Sequence, residues 1–522
     1  MITREDFKWL KKQNWFQERN SLANGDYEII KNDMMLNTLR KPYEDLVEDD
    51  INFLSVWLKK LKVNTTSAYF ATQRECLQLV ATKQEDDATE LIVEKIMENE
   101  YIYSTKNDHK SEMWIYCNGI YLPNGESEVR VFSREFLGKA YTPQRANKVI
   151  AKIRADTFID EKDFFEMERK NIYEQPLTNG ILNIKTREMT EFTPNKVFFN
   201  KLPITYDENC KCDKIKSFFE DILKSEDDVR VIYEMFGFIL LRKYLMQKAF
   251  MFIGSGANGK SKLLQLIKLF IGSNNISSTP LNQLQPDSSG VCELFGKLAN
   301  ISGDLDNSSL KRSGIFKELT GGDTLSAKRK FLTDLNFENY AKLIFACNDL
   351  PKVYDLSDGF WRRWVLLEFP FKFLPENEYF RLDKKDIEKN KCKIADPKII
   401  ERITDDDELS GLLNMALDGL NRLFELKDFS VTIGTKQVKE TWIRKSNSFI
   451  AFCLDSLDEN FDGFVTKKEL RRQFNVYCKK HKIKGAGDKE IKAILQDKYG
   501  VIESRKMINA DYDYVWEGIK FL

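Results

Sequence analysis

Apolar residues recur at helical spacing in two early stretches, INFLSVWLKKLKV (51–63) and ELIVEKIMENEYI (90–102), which predicts amphipathic helices within 1–100. From about 113 the period shortens. MWIYCNGIYLP and EVRVF read as short strands separated by N-G and P-N-G turns, and NGILNIKTREMTEFTP reads as strand, turn and strand. Helical periodicity returns over 213–245 and ends at the continuous apolar run AFMFI (249–253). Apolar runs and helical segments then alternate to about 372, the order expected of an α/β domain. The charged stretch at 376–408 reads as an exposed connection, with helix following to about 445. From SNSFIAFCLDSL onward the pattern predicts helix, helix, helix and a β-like end.

These shifts divide the chain into five parts: a helical region 1–100, an α+β domain 101–212, an α/β domain 213–375 with a leading helical collar at 213–245, a connection with helices at 376–445, and a compact unit 446–522. At 522 residues the chain is too long for one core. Its formal net charge is zero, so a nucleic-acid surface has to be a local patch. One such patch is 467–498, with eleven Lys/Arg against four Asp/Glu. No apolar run approaches the ~20 residues that span a bilayer. The opening MITREDFKWLKKQNWF lacks the apolar segment of a signal peptide, so the expected setting is cytoplasmic, without a membrane partner. Nine cysteines are scattered, with Cys210 and Cys212 the single close pair, and the two histidines, His109 and His481, are isolated. That spacing offers no zinc site and little histidine acid–base chemistry.

Directly after AFMFI stands GSGANGKS (254–261), and directly after it a helical run. The stretch fits the phosphate-binding loop G-x-x-x-x-G-K-[ST]. Gly254, Ser255, Gly256, Ala257, Asn258 and Gly259 would curl backbone amides toward phosphates, with the three glycines supplying the freedom to do so. Lys260 would reach the β- and γ-phosphates, and Ser261 would offer a hydroxyl to magnesium. ATP and Mg2+ are the expected cofactors. An acidic partner is expected on a second strand, and KLANISGDLDN supplies Asp304 and Asp306, with Asp304 the second magnesium ligand. YAKLIFACNDLP carries a strand into Asn348, placed to sense the γ-phosphate or the attacking water. GFWRRW sets Arg362 and Arg363 after a turn, and arginine suits developing phosphoryl charge.

Between these lies FKELTGGDTLSAKRKF, in which Lys317, Gly321, Gly322 and Asp323 precede Lys328, Arg329 and Lys330. The order of phosphate loop, acidic strand, LTGGD with basic residues, asparagine-ended strand and paired arginines resembles superfamily 3 helicases. It is most similar to the phage and plasmid branch related to the poxvirus primase-helicase. WIYCNGIY, NGILNIKT and FFNKLPITYD resemble the domain that precedes the motor there.

The resemblance implies an AAA+-like P-loop core with an α+β N-terminal region and a C-terminal winged helix. It also implies hexameric rings that move 3′ to 5′ on single-stranded or forked DNA, in a bacterial, archaeal or virus-infected cell. By the same resemblance, Lys260, Asp304, Asp306, Asn348 and Arg362 or Arg363 carry catalysis, with the arginine acting in trans. Lys328, Arg329 and Lys330 fall on a hairpin that grips DNA. The paired acids and nearby histidine of a primase module are missing from 1–110, so priming is expected from a separate primase or polymerase partner.

Two other readings stay open. A P-loop switch could use nucleotide to control oligomerisation or DNA binding without unwinding. DENFDGFVTKKE (458–469) also matches a calcium loop at Asp458, Asn460, Asp462, Gly463 and Glu469, the mark of a calcium-responsive binding protein. The same residues read as a turn in which Thr466 and Glu469 form a capping box for the next helix.

Overall fold

The computed structural model describes residues 67–106, 111–285, 290–303, 313–327, 335–351, 353, 355, 357–431, 433–481, 485–508 and 511–522. They fall into two compact units, the first made of 67–105, 112–115 and 123–159, the second made chiefly of 116–122 and 160–522.

The first unit is built on helices α1 (Ser67–Ala81), α2 (Glu85–Asn99), α3 (Gly125–Leu137) and α4 (Pro143–Asp156). Strands β1 (Ile102–Lys106) and β2 (Met113–Cys117) pair antiparallel, Ile102 facing Ile115 and Ser104 facing Met113. Thr142 starts α4 by accepting from the Arg145 amide at 3.3 Å, with Pro143 in the first turn. EVRVF, expected as a strand, lies inside α3. Val129, Ser133, Phe136 and Leu137 are buried at helical spacing, while Val131, which made the run look alternating, is 51% exposed.

The second unit opens with α5 (Glu161–Arg169) and a small antiparallel sheet of β3 (Glu174–Leu177), β4 (Gly180–Asn183) and β5 (Met189–Thr190). Helices α6 (Asp213–Ile222) and α7 (Glu226–Leu240) form the predicted collar, with Ser225 capping α7. Then come β6 (Ala249–Ile253), α8 (Lys260–Ile271), β7 (Ile276–Ser277), β8 (Ala299–Ser302), α9 (Gly314–Gly321), β9 (Thr324–Ala327), β10 (Leu335–Glu338), β11 (Lys342–Cys347) and β12 (Trp364–Glu368). The central sheet has the order β12-β6-β11-β8-β7 and is parallel throughout. Counted from the strand before the phosphate loop, that order is 5-1-4-3-2. The apolar runs AFMFI and KLIFAC are buried along their whole length, as central parallel strands require. β9 and β10 pair antiparallel from Thr324–Glu338 to Ala327–Leu335.

The charged stretch 376–408 is not a bare connection. β13 (Lys372–Leu374) pairs in parallel with β14 (Cys392–Ile394), and helices α10 (Asp406–Leu426) and α11 (Thr435–Ser446) follow. α10 lies against α7 so closely that a Cβ on Gly237 would sit 2.2 Å from the Ala416 carbonyl, and one on Gly419 would sit 2.6 Å from that of Tyr233. Two glycines, one from each helix, let the backbones touch and leave α7 buried on every side from Val231 to Leu240.

The end of the chain runs α12 (Ser448–Ser456), β15 (Leu457–Thr466), α13 (Lys467–His481), α14 (Asp488–Tyr499), β16 (Ile502–Ile508) and β17 (Asp511–Phe521), with sheet order β15-β17-β16. β15 is a strand that the apolar pattern did not predict, and it counts against the calcium reading. Residues 457–459 and 464–466 pair with β17, and 460–463 form an irregularity inside that strand, whereas the motif calls for a loop between two helices. Glu469, needed as the closing ligand, is bound to Arg472 and Gln473 on its own helix. Thr466 Oγ1 accepts from the Glu469 amide at 3.1 Å, the capped turn of the alternative. No group of three potential metal ligands occurs among the described residues, and no described helix is long and apolar enough to cross a membrane.

One polar cluster is sealed inside the second unit. Arg242, just past α7, pairs with Glu168 of α5 at 3.4 Å and donates to Asn200 Oδ1 at 2.6 Å. The Tyr340 hydroxyl donates to Glu168 at 2.7 Å and accepts from the Asn200 amide at 3.0 Å. Burial pushes the Glu168 carboxyl up, opposed by Arg242 and by the Tyr340 hydrogen bond. Removing one charge leaves the other stranded. Glu168→Ala should therefore cost about 3–5 kcal/mol of stability, read by urea denaturation, whereas Glu168→Leu/Arg242→Met should lose clearly less. Equal losses would mean the cluster is packing alone.

Candidate nucleotide site

β6 delivers the chain into the loop at 254–259, and α8 begins at Lys260. The structure divides the work of this loop differently from the motif. Gly259 takes φ +91°, but the other left-handed residue is Ala257 at +59°, not a glycine. Gly254 is required by crowding: a Cβ there would stand 2.0 Å from Asn258 Nδ2 and 2.7 Å from the Phe369 carbonyl. Around Gly256 nothing lies within 4 Å. A left-handed alanine costs about 1–2 kcal/mol, and Phe373 of β13 helps hold it by donating to the Ala257 carbonyl at 2.7 Å.

Lys260 is buried and turned back on the loop. Its amine donates to the Gly254 carbonyl, to Asn258 Oδ1 at 3.3 Å and to Asn348 Oδ1 at 3.2 Å. Asn348 stands just past β11, the strand beside β6, so neighbouring strand ends bring loop and asparagine together. Next to it the Cys347 thiol is pushed up to about 12 by burial and packs as a neutral group against Met251.

The residues fit a bound nucleoside triphosphate. A cavity of about 640 Å³ opens from the loop, and Ser261 faces it from the first turn of α8. The buried Asn258 Nδ2 has no hydrogen-bond partner among the described residues, a donor left over at the phosphate end. The positive end of α8 adds to it. The far wall comes from Phe218 and Ile222 of α6 with Phe373, Ile394 and Ile399, which the sequence reading had divided among the collar, the end of the α/β domain and the connection. Lys393 ties the two sides by donating to Asp221 at 2.9 Å, and Lys262 reaches the Pro397 carbonyl at 2.8 Å. These residues come from short segments that carry no sustained periodicity, so nothing in the pattern marked them as a wall.

Asp304 and Asp306, expected opposite the loop, lie outside the described residues, as do Lys328, Arg329 and Lys330; Gly303 lines the cavity. The two arginines separate. Arg363 is buried, with Nε donating to Thr320 Oγ1 at 3.0 Å and NH1 donating to the Gly359 carbonyl. Arg362 is exposed and reaches Gln247 at 2.8 Å. Lys317 bonds Asp355 at 2.6 Å and Ser357 at 2.9 Å. Burial alone would raise the Asp355 carboxyl, but hydrogen bonds from Lys317, Ser313 and Ser357 hold it well below the carboxylate range. Phe316 stacks on Trp364 at 4.6 Å. The helix ending in LTGGD is thus fastened to the turn that presents Arg362.

Residues 68–224 match the family described as D5 N terminal like. In this the chain resembles primase-helicases. Residues 252–363 match a family of unknown function, DUF5906. A helicase-named protein of Acanthamoeba polyphaga mimivirus is 31% identical over 158 residues, 29% of this chain and 16% of that one. One from Invertebrate iridescent virus 3 is 24% identical over 54% of this chain and 31% of its own length. One from Sputnik virophage is 24% identical over 66% and 44%. The chain therefore spans less than half the length of these relatives. Among solved structures, the apo A form of the NrS-1 C-terminal region is 13% identical, covers 82% of this chain and 98% of its own, and has a TM-score of 0.43.

The loop geometry makes the glycines unequal under substitution. Gly254→Ala should destabilise by more than ~1 kcal/mol, because the Phe369 carbonyl blocks it as well as the Asn258 side chain, while Gly256→Ala should stay within ~0.5 kcal/mol. Thermal unfolding without nucleotide measures both. Equal shifts would mean the close approach at Gly254 is not real.

Proposed function

We propose that the chain is the ATP-driven motor of a ring-forming DNA helicase acting at replication initiation of a viral, plasmid or other mobile genome. The observation that carries this reading is the hydrogen bond between Lys260 and Asn348, at the ends of two adjacent parallel strands in a sheet of order 5-1-4-3-2. That order supports an AAA+-like P-loop core, and the helix, strand, helix, helix, strand, strand order of 448–521 supports a winged helix. Movement 3′ to 5′, six subunits and a separate primase or polymerase partner follow from the superfamily 3 resemblance.

ATP with Mg2+, when bound, supplies the phosphoryl transfer that drives the cycle. The chain's own part is to hold and polarise. Lys260 exchanges its contacts with Gly254, Asn258 and Asn348 for phosphate oxygens, and the Asn258 amide gains a partner. Ser261 and Asp304 would hold the metal, with Asp306 the second acid of the same segment. Asn348, released by Lys260, orients the attacking water. Arg362 reaches a neighbouring subunit's nucleotide, because Arg363 is committed to Thr320. Lys328, Arg329 and Lys330 belong to the segment between β9 and β10 and contact the DNA backbone. The basic run 467–498 adds a duplex-binding surface.

Lys260→Ala should abolish DNA-stimulated ATP hydrolysis and strand separation while leaving DNA binding in place. Arg362→Ala should lower hydrolysis about 10³-fold or more. Mixing the two variants should restore part of the activity, since one class of interface then carries both an intact loop and an intact arginine. Two inactive variants that stay inactive on mixing would rule out the shared site. Hydrolysis that persists without any strand separation would favour the nucleotide switch.

A further inference from the structure

The hairpin of β16 and β17 extends beyond the C-terminal core, and its two faces differ. Arg505 stands opposite Tyr514 and Met507 opposite Tyr512, so these four side chains share one face. Both tyrosines are more than half exposed, at 57% for Tyr512 and 53% for Tyr514. The Arg505 guanidinium lies over both rings, 5.2 Å from Tyr512 and 5.7 Å from Tyr514, and makes no ion pair among the described residues. Lys467 lies over Tyr514 at 5.4 Å and over the buried Trp516 at 4.7 Å. Glu503, the carboxylate of this face, is neutralised by Lys467 and by Lys492 at 2.8 Å. The opposite face carries Asp511, Asp513 and Glu517 against one lysine, Lys506. Charge is therefore sorted, cations with the aromatic side and carboxylates with the other.

We propose that the Arg505–Tyr512–Tyr514 face is a stacking platform for unpaired nucleotides, bordered by Lys467 and Lys492 of the basic run on α13 and α14. It rests on the nucleic-acid part of the function proposed above. Two tyrosines at alternate positions of one strand stand about 7 Å apart, twice the rise per residue, so each takes a separate base. Flat, exposed rings with a guanidinium between them accept any base through its π face, and the cations track the backbone. A paired duplex hides its base faces and has little to gain here. The groove of about 670 Å³ between α14 and β16, floored by Val501 and edged by Lys492, Gln496 and Tyr514, continues the same face and gives the strand a path onto it.

The full chain without nucleotide is the material for the test. An unpaired mixed-sequence oligonucleotide carrying 5-iododeoxyuridine is irradiated on it, and the linked peptides are mapped. Cross-links are expected within 511–521. Tyr512→Ala/Tyr514→Ala should remove them and weaken unpaired-strand binding about tenfold. Tyr512→Phe/Tyr514→Phe should bind like the wild type, because stacking survives loss of the hydroxyl. Affinity for a duplex of the same sequence should change less than about twofold. Absence of cross-links in 511–521 overturns the platform, as does a phenylalanine variant as weak as the alanine one, or an equal loss for duplex. Lys260→Ala keeps this failure apart from failure of the motor reading. Intact cross-links without unwinding by the wild type count against the motor alone, and unwinding without these cross-links counts against the platform alone.

Discussion

The second unit is organised around the sealed pair of Arg242 and Glu168. Arg242 leaves the end of α7, Glu168 comes from α5, Asn200 from the segment after the small sheet, and Tyr340 from the approach to β11. Four stretches far apart in sequence therefore meet at one charge pair, and each closes a donor or acceptor that another needs. A buried ion pair adds little net stability, but it is costly to break and satisfied by few arrangements. Its value here is register. Beside it Lys342 sends its amine into the Leu241 and Tyr340 carbonyls, both at 2.6 Å, and burial holds that amine's affinity for a proton well down. The edge at which β11 starts, six residues before Asn348, is fixed to the collar by these contacts.

From that fixed edge the site follows. β6 and β11 are held side by side by Phe250–Ile344 through Ile253–Cys347, so their ends bring Lys260 and Asn348 within hydrogen-bonding reach. The cavity is closed on its other side by α6 and by 372–402, which reach each other through Lys393 and Asp221. Collar, loop and the segment after β12 thus share one space. A ligand filling it bridges all three, and its binding energy becomes stability of that arrangement by linkage.

How far the sequence exposed this depended on distance along the chain. The stretch 254–261 is eight consecutive residues, and short-range pattern was enough to place it between a strand and a helix. The parallel strands were legible because their apolar runs are continuous. Legibility failed where a role depends on a distant partner. Phe373, Ile394 and Ile399 lie in three short segments without a sustained period, and only the fold makes them a wall. Arg362 and Arg363 are identical as letters, and their partners separate them, Thr320 and Gly359 for the buried Arg363 and Gln247 for the exposed Arg362. In 458–469 the acidic and glycine spacing was real, but pairing with β17 decided its conformation, and a bulge accommodated the turn-like residues inside a strand. EVRVF alternated by accident, one of its valines facing solvent from a helix.

The fastening of α9 sets the direction in which force can travel. Lys317 with Asp355, Thr320 with Arg363, and Phe316 on Trp364 join this helix to the 355–364 segment at three points along its length. A helix held at three points moves as a body with what holds it. Its far end, Gly322 at φ +81°, leads straight into β9 of the antiparallel pair that runs to Ala327 and restarts at Leu335. Displacement of the arginine turn therefore has few soft places in which to dissipate before it reaches that hairpin. Buried packing is bistable more than elastic, and the polar links add fixed registry to the stacked rings. The links that join the turn bearing Arg362 to α9, and α9 to β9, lie entirely within one chain.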